Sequence, residues 1–192
     1  AISGTLYGFD GSYSNETDLT LGNGYWLRFE GDGSSDITGI PIGELSISLL
    51  EGWNMITGIS SSVNITNIID PEEIIVSNTF YSFNNGYVNT STLEPGRGYW
   101  VRAHASGSIT ISSQNAIAKR KEFISALDGA NSLSFFNANG KAGELFFGVP
   151  ISEEQRLSYS LPPKPPTGGF DVRFAGDMKA MGDIGVIELT HF

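Results

Sequence analysis

Two stretches of the chain decide its fold: TLYGFDGSYSNETDLTLGNGYWLRFEGDG at residues 5–33 and TFYSFNNGYVNTSTLEPGRGYWVRAHASG at residues 79–107. They align without a gap, and 12 of the 29 positions are identical. Unrelated stretches of this length share roughly two or three residues by chance, so the match indicates an internal duplication.

The positions that the two copies share are mainly aromatic residues and glycines. The identical pairs are Thr5/Thr79, Tyr7/Tyr81, Phe9/Phe83, Tyr13/Tyr87, Asn15/Asn89, Leu19/Leu93, Gly22/Gly96, Gly24/Gly98, Tyr25/Tyr99, Trp26/Trp100, Arg28/Arg102 and Gly33/Gly107. Alternating aromatic residues are typical of a half-buried strand, and Asp-Gly or Asn-Gly sequences are typical of tight turns. Each copy is therefore predicted to form a hairpin, a glycine-containing turn of the form Leu-x-x-Gly-x-Gly, and a further strand.

The segment between the copies completes the second one. Residues 45–60 predict a strand, a turn at Glu51-Gly52 and a second strand, and residues 65–75 predict a short helix or turn. Residues 107–112 alternate again and predict a strand. A complete unit would thus run from Leu45 to Ser113, and the corresponding leading strands of the first copy would precede residue 1. We expect either a piece of a longer protein, or leading strands supplied by another element or molecule.

A second region follows a break in the β pattern. Residues 116–122 include the cationic run Lys119–Lys121 and are predicted to be a linker. Beyond it we predict a hairpin with its turn at residues 137–140, an extended proline strap over residues 161–166, and strands near residues 170–174 and 184–189. The sequence therefore predicts an all-β fold of two sandwich-like subdomains, residues 1–115 and 123–192, the first built on the repeat.

Composition limits the partners. The formal net charge is -10, which opposes binding to nucleic acid and to anionic lipid. Cysteine is absent, so neither a disulfide framework nor a thiol nucleophile is available. No apolar run approaches the roughly 18 residues that a membrane span requires, so membrane insertion is not expected. The chain begins with Ala1, which suggests a mature processed protein or an excised fragment.

Catalytic motifs are not evident. The two histidines, His104 and His191, are distant in sequence, and the chain has no G-x-S-x-G motif. Carboxylates such as Glu30 and Glu51 could serve a glycosidase, but nothing in the pattern selects a pair. We therefore expect the protein not to be an enzyme.

Calcium is the one candidate cofactor. Asp10, Asp32 and Asp36, together with Asp18, lie in Gly- and Ser-rich turns where oxygen ligands can converge. Their counterparts in the second copy are Asn84, Ser106, Thr110 and Thr92, so a site would be confined to the first copy. The alternative is that these aspartates are solvated turn residues.

The aromatic residues admit two interpretations. Exposed Trp26, Trp53, Trp100, Tyr25 and Tyr99 would stack on sugar rings and make the chain a carbohydrate-binding module. Alternatively, they pack the core, since each copy needs the same buried anchors, with Arg28 and Arg102 covering the indoles. A flat exposed row of aromatic rings would favour sugar binding, whereas buried tryptophans would favour the structural role.

Three motifs carry a family resemblance: GWNMI at residues 52–56, LEPGRGYWVRA at 93–103, and LPPKPPTGGFDVRFAG at 161–176. Together they resemble the C-terminal regions of large secreted proteins of Bacteroidetes and Ignavibacteria, which precede a sorting domain read by the type IX secretion system. The resemblance implies export to the cell surface or medium and implies no activity. The sorting domain itself is not visible in this sequence.

The function expected from these features is that of a non-enzymatic, extracellular structural or adhesive surface protein. In a sharper form, it is the self-assembling subunit of a fibre that uses strand donation. Partners would be further copies or other surface proteins. In the alternative function, as a carbohydrate-binding module of a larger secreted protein, the partner is a polysaccharide.

Overall fold

A computed structural model describes residues 4–31, 33–34, 38–114, 123–138, 140–183 and 185–190. The strands, in chain order, are β1 (Leu6–Phe9), β2 (Tyr13–Asn15), β3 (Trp26–Leu27), β4 (Glu44–Leu49), β5 (Gly52–Thr57), β6 (Val63–Asn64), β7 (Tyr81–Phe83), β8 (Tyr87–Asn89), β9 (Thr92–Leu93), β10 (Gly98–Ala103), β11 (Gly107–Ser112), β12 (Asn131–Asn137), β13 (Gly140–Phe147), β14 (Asp171–Phe174), β15 (Ala180–Met181) and β16 (Ile187–Thr190). The helical elements are α1 (Glu153–Arg156) and 3₁₀ turns at Ile65–Asn67 and Leu157–Tyr159. The predicted all-β fold is confirmed. Within the described part of the chain, no helix has the length and hydropathy to cross a membrane.

The chain divides into two compact units. Unit 1 comprises Ala1–Ile75 and Ser91–Arg120, and unit 2 comprises Val76–Thr90 and Lys121–Phe192. This division differs from the predicted boundary, because residues 76–90, the start of the second copy, belong to unit 2. The predicted linker at residues 116–122 lies outside the described residues.

The hairpins of the two copies have the same register. The first pairs Tyr7 with Asn15, Gly8 with Ser14 and Phe9 with Tyr13; the second pairs Tyr81 with Asn89, Ser82 with Val88 and Phe83 with Tyr87. Even the closing hydrogen bonds correspond. The amide of Glu16 donates to the carbonyl of Leu6 over 2.9 Å, and the amide of Thr90 donates to that of Phe80 over 3.0 Å. The shared aromatic and turn residues thus specify one local structure twice.

Unit 1 is built around the antiparallel pairing of β5 with β10, in which Trp100 lies opposite Met55 and Tyr99 opposite Ile56. β4 and β5 follow each other as predicted, but β4 pairs with β11 rather than with β5. The turn between them is held by Asn54 of the GWN motif. Its Oδ1 accepts from the amide of Leu50 over 2.9 Å, and its Nδ2 donates to the carbonyl of Leu50 over 2.8 Å.

The first copy reaches β5 through its second turn glycine. The amide of Gly24 donates to the carbonyl of Met55 over 2.9 Å. A Cβ atom at Gly24 would lie 2.5 Å from the carbonyl oxygen of Ile56, so only glycine permits this approach. β3 pairs with β1 a few residues later, through Trp26 opposite Tyr7.

Unit 2 contains the predicted β12–β13 hairpin, which turns at Gly140 and has a bulge between Phe135 and Phe136. β13 also pairs in parallel with β15, and β14 pairs antiparallel with β16. The core of this unit contains the buried residues Leu145, Tyr159, Val172, Phe174, Met178 and Ala180. Sandwich-like packing of the sheets in either unit stays a prediction.

A buried arginine holds the proline strap of unit 2. Arg173 is fully buried, and its Nε and Nη2 atoms donate to the two carboxylate oxygens of Asp171 over 2.6 and 2.7 Å. Its Nη1 donates to the carbonyl of Pro162 over 2.9 Å and to Asp177 over 2.8 Å. Burial alone would lower the pKa of Arg173, but the hydrogen bonds and charges of Asp171 and Asp177 raise it above the usual value.

Replacing Arg173 with Ala is expected to cost about 3–5 kcal/mol of unfolding free energy, because it leaves the buried carboxylate of Asp171 without its bidentate partner. Urea unfolding followed by fluorescence measures the loss. The control is Arg156→Ala, which removes the exposed ion pair between Arg156 and Glu153, whose charged atoms are 3.6 Å apart. This variant is expected to change the free energy of unfolding by less than about 0.5 kcal/mol. Equal losses in the two variants would contradict this role of Arg173.

Candidate functional site

Unit 1 contains a cluster of four aromatic residues. Trp100 is 2% exposed, and the ring of Phe9 packs against it edge to face at 4.8 Å between centroids. Tyr13 and Trp53 complete the cluster, each at 6.4 Å from Trp100. Edge-to-face packing is the arrangement that buried aromatic rings prefer. The first-copy hairpin therefore covers the tryptophan of the second copy.

An arginine covers an indole ring, as the second interpretation predicts, and the ring belongs to a different strand. The guanidinium of Arg102 lies 5.8 Å from the ring centroid of Trp53, which is on the paired strand β5. The contact is a cation–π interaction across the β5–β10 ladder. It adds to the packing of the half-buried Trp53.

The predicted sugar-stacking residues do not form one platform. Tyr99 and Trp100 are both 2% exposed, so neither offers a ring face to a ligand, which corrects that part of the prediction. Trp53 stands at 90° to Trp100, and Trp26 and Trp53 are half-buried. Tyr25 is half-buried as well, and its hydroxyl accepts a hydrogen bond from the amide of Thr20 over 2.8 Å.

An open cleft of about 330 Å³ lies in unit 1 beside the first-copy hairpin. Its polar wall consists of Asp10, Ser14, Glu16, Thr20, Asn23, Ser48 and Asn54, and Phe9, Tyr25, Met55 and Ile56 are among its apolar lining. Tyr25 is the only one of the five predicted aromatic site residues in this lining. Hydroxyl, amide and carboxylate groups beside an aromatic ring suit a small polar ligand.

The structure describes only some of the aspartates that were predicted to bind calcium. Asp10 is exposed and lines the cleft, whereas Asp32 and Asp36 lie outside the described residues. Among the residues with described positions, no group of three or more acidic or histidine side chains is arranged to hold a metal ion. Calcium binding in the first copy stays a prediction.

Of the two histidines, only His104 is described. It is exposed, and its Nε2 atom lies 2.9 Å from the carbonyl oxygen of Glu73. His191 lies outside the described residues.

A surface feature of unit 1 was not assigned from the sequence. Leu19, Leu27 and Phe29 of the first copy are 73%, 43% and 61% exposed, and we call these three residues the open surface of the first copy. Their equivalents in the second copy, Leu93, Val101 and Ala103, are at most 1% exposed.

Unit 2 has a buried polar group that the sequence did not predict. Tyr81 is fully buried, and burial raises its pKa to about 12, although a hydrogen bond with Asn89 opposes part of this change. Lys179 donates to Oδ1 of Asn89 over 2.7 Å, and its Nζ atom lies 5.9 Å from the ring centroid of Tyr81. The cavity beside Lys179 has a volume of only about 20 Å³, room for a water molecule and not for a larger ligand.

Comparison of the chain with models of known families, with curated proteins and with solved structures finds no match. The class of the protein therefore follows from its own geometry. It is an all-β protein of two compact units, in which aromatic residues common to the two copies form part of the interior.

Tyr81 predicts an alkaline loss of stability. Its folded pKa of about 12 exceeds the ordinary value of 10.0, so the unfolded chain loses this proton first as the pH rises. Stability from this group is complete below pH 10 and falls by roughly 2–3 kcal/mol by pH 12. Urea unfolding at pH 8 and pH 11 is expected to show a smaller fall for Tyr81→Phe than for the unmodified chain. Tyr7→Phe is the control for the loss of a hydroxyl group, and an unchanged fall in Tyr81→Phe would disprove the assignment.

Proposed function

We propose that the protein is a non-enzymatic, extracellular structural or adhesive surface protein that assembles with further copies of itself into fibres. In this proposal the repeat is a building unit and not a catalytic scaffold. Its partners are other copies of the chain or other surface proteins.

The observation that carries the proposal is that aromatic residues common to both copies are buried and pack against one another. Trp100 is buried under Phe9 of the first copy, and Tyr99 is buried with its hydroxyl bound to the amide of Glu94 at 2.6 Å. Side chains that are common to both copies therefore hold the two copies together in unit 1. This is the behaviour of a repeat protein, in which neighbouring units stabilise one another.

Two further features support assembly outside the cell. The first copy exposes Leu19, Leu27 and Phe29, whose equivalents in the second copy are buried, and exposed apolar side chains of this kind would be available to pack against another molecule. The resemblance of the motifs at residues 52–56, 93–103 and 161–176 to secreted proteins agrees with a surface location. Strand donation would supply the missing cover.

Light scattering and electron microscopy of the same purified sample test the proposal. We expect particles much larger than the chain mass of 20.6 kDa, growing with concentration, and elongated in images. A monomer at every concentration would contradict assembly. It would leave a spacer or a ligand-binding module as the function.

The cleft of unit 1 favours a second candidate, binding of a polysaccharide. Its volume of about 330 Å³ and its polar wall would accept a short stretch of sugar residues beside Tyr25. In contrast to the sequence-based prediction, Trp26, Trp53 and Trp100 are not among the residues that line this cleft.

A screen of soluble oligosaccharides by calorimetry tests this second candidate. If one binds, Asn23→Ala in the cleft wall is expected to weaken its binding about fivefold, since a hydrogen bond to an uncharged group is worth about 1 kcal/mol. Asn84→Ala replaces an exposed turn amide outside the cleft and serves as the control. Equal affinities of the two variants would exclude the cleft as the binding site.

A further inference from the structure

A lysine and an asparagine that are 90 positions apart in the sequence meet inside unit 2. The Nζ atom of Lys179 donates a hydrogen bond to Oδ1 of Asn89 over 2.7 Å, and both side chains are half-buried. Because a carbonyl bond is about 1.2 Å long, this nitrogen lies at most about 4 Å from Cγ, the carbon of the Asn89 carboxamide. Reacting atoms in a near-attack geometry lie about 3–3.5 Å apart, so the approach still needed is less than about 1 Å.

The surrounding hydrogen bonds hold both groups in place. The amide of Lys179 donates to the carbonyl of Tyr159 over 2.8 Å, and the carbonyl of Lys179 accepts from the amide of Phe146 over 3.0 Å. On the other side, Nδ2 of Asn89 donates to the carbonyl of Asn78 over 2.8 Å, which directs the carboxamide oxygen toward the lysine. Groups that are held in this way react much faster than the same groups free in solution.

The surroundings of the amine contain a group that can carry its protons. The Nζ atom lies 5.8 Å from the ring centroid of Phe146 and 5.9 Å from that of Tyr81, so aromatic rings border it. Glu144 lines the same small cavity as Lys179. A lysine attacks a carbonyl carbon only as the neutral amine, and an adjacent base makes that form available. The other carboxylate of the cavity, Asp171, is already engaged in a buried ion pair.

We propose that Lys179 and Asn89 join in an intramolecular isopeptide bond. The Nζ atom attacks Cγ of Asn89, so that the Nζ–Cγ bond forms and the Cγ–Nδ2 bond breaks. Two of the three ammonium protons of Lys179 pass through the carboxylate of Glu144 to the departing nitrogen, which leaves as an ammonium ion, and the third proton stays on the new amide. The reaction consumes no other reactant. The cavity of about 20 Å³ holds a molecule of the size of water, which is also the size of the leaving group.

The first copy of the repeat provides an internal comparison. Asn15 is the counterpart of Asn89, and it pairs with Tyr7 in the same hairpin register. However, Asn15 is exposed, and the described part of unit 1 contains no lysine. The same hairpin is therefore equipped for the reaction only in the second copy. There the bond joins the hairpin covalently to the rest of unit 2, whether or not the protein assembles with further copies.

The mass of the intact, unfolded full chain tests the bond. We expect the unmodified chain to weigh less than its sequence requires by one molecule of ammonia. Lys179→Arg and Asn89→Ala, which remove the nucleophile and the carboxamide, should have the full masses of their sequences. The controls Lys164→Arg, which replaces an exposed lysine paired with Glu188, and Asn15→Ala should still lack one ammonia. A full mass for the unmodified chain, or a loss of ammonia that persists in Lys179→Arg, would overturn the bond.

Cleavage after methionine with cyanogen bromide locates the bond within the chain. Met178 and Met181 flank Lys179, so an unlinked chain releases residues 179–181 as a free tripeptide. In the linked chain this tripeptide remains attached to the fragment of residues 56–178 through Asn89. A free tripeptide from a chain that lacks one ammonia would place the loss elsewhere and overturn the assignment.

The role of Glu144 is tested separately. Glu144→Gln is expected to slow bond formation about a hundredfold or more, since proton transfer by a positioned side chain contributes at least that much to a rate. The linked fraction is measured from intact masses at intervals after cell-free synthesis. Glu154→Gln, which changes an exposed glutamate in α1, is the control and should form the bond at the unmodified rate. An unmodified rate in Glu144→Gln would overturn its role as the proton carrier. All these readouts concern a single chain, so they do not depend on the proposed self-assembly.

Discussion

Burial of strand β10 on both faces is the constraint on which unit 1 depends. Tyr99, Trp100 and Val101 are consecutive, so they point to alternate sides of the β5–β10 ladder, and all three are at most 2% exposed. A strand of this kind needs two covering layers. One is the first-copy hairpin, whose Phe9 packs on Trp100. The side that carries Tyr99 and Val101 is covered separately, within a core to which residues 44–75 contribute.

This constraint explains why the two copies are not used alike. The hairpin of the first copy packs on Trp100 of the second copy. The strand that follows this hairpin, β3, has an exposed side chain at Leu27. The hairpin of the second copy belongs to unit 2, where the hydroxyl of Tyr87 donates to the carbonyl of Pro163 in the proline strap. One local structure therefore serves two packing roles, and the sequence of the copy does not determine which.

The elements that could be predicted are those specified by short-range patterns. Both repeat hairpins, the β4 and β5 strands and the β12–β13 hairpin follow from alternation and from turn residues such as Gly11 and Gly140. The pairing of β4 with β11 depends on contacts more than fifty residues apart, which no local pattern encodes. The division of the second copy between two units was missed for the same reason.

The site was harder to predict because burial is a property of the whole fold. Asp171 and Arg173 alternate with apolar residues, a pattern typical of a half-exposed strand, yet every residue of β14 is buried. Their charges are tolerated because they neutralise one another and because Pro162 lies within reach of the guanidinium. Similarly, the aromatic residues of the repeat were found from the sequence, but the burial of Tyr99 and Trp100 is seen only in the structure.

The path of the chain between the two units has a consequence for synthesis and for truncation. Since Val76–Thr90 belongs to unit 2 and Ser91–Arg120 to unit 1, the polypeptide passes from one unit to the other three times. No continuous fragment contains either unit whole without part of the other. During synthesis, residues 76–90 emerge before residues 121–192, so this hairpin cannot pack into unit 2 until the rest of that unit has been made. A single protease cut near residue 120 would leave the hairpin and the rest of unit 2 on separate polypeptides.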